Sequence, residues 1–256
     1  MIIGTIALLT ILFGGVDPFL IDRLDKGVKT YVVEESRKDE ILTITKQHKK
    51  DVKAFDKLRR TRIKEFKKLD RLAETKASDL ENFFAQLPPE RIAFQDQAIE
   101  NRLIASSLIT PEEWVLILDD AGESVLKSRE KREKKEAKAE KKGKQTFPKT
   151  RKTMQKHIDD SDRQALILAS LDTLVESILA LEDQIISANV LENSVIARLD
   201  ADREELKAMS NEWNQIRQVA IAGIVDFYVD VRENTDASEL DRIMKEFNKD
   251  LSITPR

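Results

Sequence analysis

The chain has no cysteine, two histidines, seven glycines and six prolines in 256 residues, and aromatics make up only 5%. Each scarcity excludes something. Without thiols there can be no disulfide, no thiolate metal site and no cysteine nucleophile. His48 and His157 supply little material for an imidazole metal site or a catalytic triad. So few breakers leave few tight turns, which argues against a strand-rich fold. A glycine-rich phosphate loop, a His-Glu-x-x-His motif and a Glu-x-x-His pair are also missing. The expectation is a non-enzymatic chain with no catalytic residue, cofactor or metal.

What is present is charge and helix-forming sequence. Charged residues make up 36% of the chain, and the net charge of −3 hides a strong segregation. Lys46 to Arg71 holds 12 Lys/Arg against 4 Asp/Glu, and Lys127 to Lys152 holds 13 against 4. The remainder is therefore acidic. Basic arms of this kind can meet an acidic surface on the same chain, a protein partner, or anionic lipid. No recognition motif or interleaved stacking aromatics accompany them, so nucleic acid is not an expected partner.

The apolar exception is the start, Met1 to Ile21, which contains no Lys, Arg or Glu and a single Asp. Ile2, Ile3, Ile6, Leu8, Leu9, Ile11, Leu12 and Phe13 form its greasy part, and we expect them to be a membrane anchor. Gly14-Gly15 reads as a helix stop, and Asp17-Pro18 as a cap followed by proline at the first helical position. A cleaved signal peptide would want a basic leader and a small-x-small site, and neither is evident. Arg23, Lys26 and Lys29 follow the apolar run, which places the bulk of the chain on the cytoplasmic side of a membrane (the inner membrane in a bacterium), with a periplasmic body as the alternative.

Beyond the start, the spacing predicts an all-α fold. Long helices form a coiled coil or antiparallel bundle, preceded by a short N-terminal apolar anchor helix. Four segments follow: the anchor over 1–21, a charged helical hairpin region over 22–126, a basic low-complexity arm over 127–152, and a helical bundle or coiled-coil region over 153–256. In the second, Ile41, Ile44, His48, Val52, Phe55, Ile63, Phe66, Leu69, Ala73, Leu80, Phe84 and Leu87 form a narrow stripe, with a break near Ser78 and His48 making a polar interhelical contact. Glu90 to Leu108 is a second helix, with Ile92, Phe94, Ile99, Leu103, Ile104 and Leu108 turned inward. Asp119 to Glu123 reads as a turn, and Ser128 to Lys144 as an exposed arm without an apolar face.

From Ile167 to Phe227, steps of four and three give 18 heptad positions, of which 15 are Ala or larger apolar residues. Random placement would give about seven, so the seam is real. Glu192 and Asp202 interrupt it, and a bend near Ala188 to Asn193 would convert one rod into two antiparallel helices. The width of the stripe implies several neighbours, hence a homo-oligomer or other protein partners. Val219 to Val231 is expected to be packed core, and Asp236 to Glu239 a helix cap.

Thr110-Pro111-Glu112-Glu113 is the sharpest local signal: an N-cap, proline at the first position and an acid at the third, followed by an apolar cluster from Trp114 to Leu118. Within it, LITPEEW is similar to the Leu-Thr-Pro-Glu-Gln element that opens a helix in periplasmic Spy/CpxP-like helical chaperones and related metal-stress sensors. The resemblance covers about six of the 256 residues and carries no site residue over. What it implies is an alternative function, an envelope chaperone or stress sensor. The leading expectation is a membrane-anchored oligomeric helical scaffold or accessory subunit of a membrane complex. A membrane-remodelling coat that resembles PspA-type helical hairpins, in its long charged helices alone, is the third.

Overall fold

The computed structural model describes Phe19, Ile21, Lys134 and residues 24–121, 146–188 and 195–251. The proposed anchor residues Ile2 to Phe13, the Gly14-Gly15 and Asp17-Pro18 signals and the arm from Ser128, apart from Lys134, lie outside the described residues. Among the described residues the secondary structure is helical throughout: α1 (Leu24–Tyr31), α2 (Glu35–Leu69), α3 (Ala77–Ala85), α4 (Leu87–Ser107), α5 (111–121), α6 (Pro148–His157), α7 (Ser161–Ala188), a 3-10 turn (Val195–Ala197), α8 (Arg203–Glu233) and α9 (Ala237–Leu251). No helix among them is long and apolar enough to cross a membrane.

The helices pair antiparallel. In α7 and α8, Arg163 donates to the Asn234 carbonyl and Ser170 to Asp230, while Leu174 packs beside Gly223. The heptad seam is consumed here: Ile167, Leu171, Leu174 and Ile178 bury against the side of α8 that carries Ala220, Ile224 and Phe227. Within the chain α7 also packs on α6, and α8 packs on α3, α4 and α9. α7 is described as far as Ala188, most of the expected bend beyond it lies outside the described residues, and α8 starts from an Asp202 cap whose side chain accepts from the Glu205 amide. The rod is thus a hairpin, and Asp202 interrupts the heptad because it caps a helix.

α6 lies antiparallel on α9, with Thr150 bonded to Asp250 near one end and His157 beside Arg242 toward the other. α2 lies on α4 through Phe55 with Phe94 and Arg62 with Glu90. α4 lies on α8 through Arg91 with Asn214 and Glu100 with Arg203. One apolar cluster joins sequence from both sides of the basic arm, from Phe66, Leu80 and Ile99 to Leu171, Phe227 and Phe247. Phe19 and Ile21, at the end of the apolar start, are fully buried in it, with the Phe19 ring 6.3 Å from Trp213.

A second cluster gathers Leu24, Val28, Ile41, Trp114 and Ile117 around α1 and α5. The Thr110 cap forms as expected: its amide donates to Glu113 Oε2 and its hydroxyl accepts from the Glu113 amide. Of the apolar cluster that follows, Trp114 and Ile117 dock, whereas Val115 and Leu116 face solvent. Asp119 and Asp120, expected in a turn, continue this helix, Gly122 and Glu123 lie outside the described residues, and Asp120 pairs with Lys26 across the gap to α1.

Gly27 makes that gap narrow. A Cβ at Gly27 would sit 3.0 Å from the Ile117 Cα, a backbone atom that cannot rotate away. Gly27→Val is expected to destabilise the chain by about 1–3 kcal/mol, the usual cost of overpacking, despite removing a helical glycine. Urea denaturation should show a lower midpoint with an unchanged slope; an unaltered midpoint would mean that α1 does not press on α5.

Candidate polar site between α4 and α8

α4 carries an unusual interior. Its buried residues are Leu87, Arg91, Gln95, Ala98, Ile99, Asn101, Arg102, Ala105 and Ser106. Ile92 and Ile104, expected inside, are 43% and 47% exposed. The correction has a physical cause: the inward face of α4 meets polar side chains on its neighbours. Asn101 and His48 face each other at 3.4 Å, the polar interhelical contact expected of His48. Arg102 donates to the Arg198 carbonyl at 3.0 Å, and its guanidinium lies 4.2 Å from the Trp114 ring centroid, a cation–π contact in a buried setting.

Arg91 differs from these. Arg91 and, on α8, Arg217 are 2% and 7% exposed. Arg91 Nε donates to Asn214 Oδ1 at 2.8 Å, and Arg217 Nη1 donates to the same oxygen at 3.0 Å. Asn214 is in turn oriented by donating to Gln95 Oε1 at 3.0 Å. One amide oxygen thus gathers two guanidinium groups. Among the described residues no carboxylate pairs with either.

Sharing an oxygen holds the two donor nitrogens within about 6 Å, where like charges repel by roughly 3 kcal/mol at an effective dielectric constant near 20. Burial pulls Arg91 down to about 10. Burial, and then the Arg91 charge, pulls Arg217 down to about 9. Arg91 Nη1 and Nη2 and Arg217 Nε have no hydrogen-bond partner, and neither do the buried Trp213 Nε1 and Ser210 Oγ on the same helix as Arg217. Buried charge of this kind is costly unless it is paired.

Asp250, Asp70 and Tyr228 hydrogen-bond within the fold, although Asp25 and Asp250 each keep a buried Oδ1 without a hydrogen-bond partner among the described residues. Asp250 Oδ2 accepts from both the Thr150 amide and its hydroxyl at 2.8 Å. Asp70 accepts from Asn248 with both oxygens at 2.9 Å. Tyr228 donates to the Thr75 carbonyl at 3.0 Å. No group of three or more His, Asp or Glu among the described residues could hold a metal ion.

The basic run lies on α2, where Arg62 bridges Glu65 and Glu90, Lys49 meets Asp25, and Arg71 reaches Asp241 on α9 at 2.7 Å. Pairing with the C-terminal region is thus one contact at the end of the helix, with the other described pairs made locally or to α1 and α4. Lys46, Lys50, Lys53, Lys57, Arg60, Lys64 and Lys68 remain exposed. Their spacing of three and four places them on one face of the helix.

Sequence reasoning missed the buried α4 stripe because it sought apolar residues. The available signal was Arg91, Gln95, Ala98, Arg102 and Ala105, a four–three spacing as regular as the C-terminal seam. Comparison with protein families, with curated proteins and with solved structures finds no match to this chain.

Proposed function

We propose that the chain is a non-enzymatic helical scaffold that works against a membrane, tethered by its apolar start and holding the basic face of α2 toward anionic lipid headgroups. The exposed cationic stripe carries this reading. It runs from Lys46 to Lys68, about 33 Å along one helix, and the acid at its edge is Asp56, which pairs with Arg59 and with Arg60 of the stripe. Juxtamembrane basic residues each contribute about 1 kcal/mol of attraction to an anionic leaflet. The apolar start supports the same reading: its last residues, Phe19 and Ile21, are buried in the core of the body. Exposed Val33, Val115 and Leu116, near the junction where Arg37 joins Glu113, offer a surface for a protein partner of the scaffold.

The test is flotation of the full chain with vesicles. Binding is expected to phosphatidylcholine vesicles containing phosphatidylserine, and to weaken as salt rises. Removing residues 2–13 should leave salt-sensitive binding that high salt abolishes completely. Lys50→Glu with Lys53→Glu and Lys57→Glu should cut the anionic-lipid dependence and leave helicity unchanged. A full chain that stays monodisperse without detergent and ignores both vesicle types would overturn the reading. So would equal binding by the charge-reversed chain.

A further inference from the structure

We propose that the α4–α8 interface is a binding site for a phosphoryl group, either inorganic phosphate or the phosphate of a small monoester, held between the unpartnered edges of Arg91 and Arg217. The site is built and oriented before any ligand arrives. Arg91 spends only Nε, on Asn214, which leaves Nη1 and Nη2 together as a two-pronged donor edge. Such an edge is the one that binds oxyanions in bidentate fashion. Arg217 spends Nη1 on the same oxygen and leaves Nε. Because Gln95 fixes Asn214, both guanidinium groups are immobilised by neutral partners, and ordering them costs a ligand little.

Charge selects the ligand class. Two buried cations without a described acid call for about two negative charges. A phosphomonoester dianion supplies both, whereas a carboxylate supplies one. The unpartnered Trp213 Nε1 is a further buried donor on the face of α8 that carries Arg217. This inference does not rest on the membrane reading.

The experiment is thermal unfolding and calorimetry of the full chain with sodium phosphate, glycerol phosphate, sodium acetate and sodium chloride at matched ionic strength. Phosphate is expected to raise the melting temperature beyond chloride, and acetate to match chloride. A larger response to glycerol phosphate than to phosphate would identify a monoester as the ligand; the reverse would identify the free ion. Arg91→Gln and Arg217→Gln should each weaken phosphate binding by about tenfold or more. Arg91→Lys, which keeps charge but loses the fork, should weaken it nearly as much. Without phosphate, Arg217→Gln should melt no lower than wild type, because it removes an uncompensated charge. If either variant fails to fold, phosphorus NMR of the wild-type chain with inorganic phosphate decides: no line broadening at millimolar phosphate overturns the proposal. So does a shift shared with acetate, or one that survives in the Gln variants.

Discussion

Asp70→Asn is expected to stabilise the chain at pH 8 and to remove most of a pH dependence that the wild type shows between pH 5 and 8. Asp70 is fully buried at the C-terminal end of α2, its amide donating to the Phe66 carbonyl and its carboxyl accepting from Asn248 on α9. Burial pushes the carboxyl up to about 7, opposed in smaller measure by the Asn248 hydrogen bonds and the charges of Arg71 and Lys67. A negative charge at a helix C-terminus also opposes the dipole. Tyr228, whose phenol burial pushes upward, lies close enough to feel the same charge.

The sign follows from proton linkage. The folded chain holds this proton up to about pH 7, while the unfolded chain releases it near 3.8. Stability is therefore greatest below the unfolded value and falls as pH rises toward 7, after which the loss is complete. From pH 5 to pH 8 this loss is on the order of 2–3 kcal/mol. An amide at this position accepts from Asn248 and carries no charge, so the variant should be nearly flat in this respect. Urea midpoints at pH 5, 6, 7 and 8 measure it, and the difference between variant and wild type cancels every other titrating group. Parallel profiles would show that the Asp70 carboxyl ionises normally.

Asp70 also illustrates what sequence patterns hide. As one more acid in a highly charged stretch, it reads as solvated, and nothing local separates it from exposed Asp39 or half-buried Asp51 along α2. Its burial comes from α9, 178 residues away, through Asn248. Arg91 and Arg217 are hidden for the same reason: their partner is Asn214, and each becomes interior only when α4 and α8 meet. Where burial follows apolar spacing, the architecture was legible. The four–three steps from Ile167 to Ile178 and from Leu206 to Phe227 are buried where expected, and the Thr110 and Asp236 caps form. The stripe failed at Ala73, which is exposed because α2 stops at Leu69 and the chain turns before α3. It failed again at Val115 and Leu116, because five consecutive apolar residues cannot all face one side of a helix.

Phe247→Ala is expected to cost about 3–5 kcal/mol, the range for removing a fully buried aromatic ring. Phe247 is fully buried between Phe147, at 5.3 Å between ring centroids, and Phe227, at 5.0 Å. These three rings join α9, the start of α6 and α8. Truncation removes two ring contacts at once and leaves a hole bordered by Met244 and Ile243, which the bundle can fill only by shifting α9. Because the pairing of α6 with α9 also rests on the buried Asp250–Thr150 contact, we expect that pair to survive locally and to detach from α8 as a unit. Hydrogen exchange should show α6 and α9 losing protection before α7 and α8. A control separates burial from ring stacking: Phe55 stacks on Phe94 at 4.4 Å with nearly parallel planes, yet it is only half-buried. If stacking carried the energy, Phe55→Ala would cost as much as Phe247→Ala. With burial in control, the Phe55 variant should lose no more than about half as much.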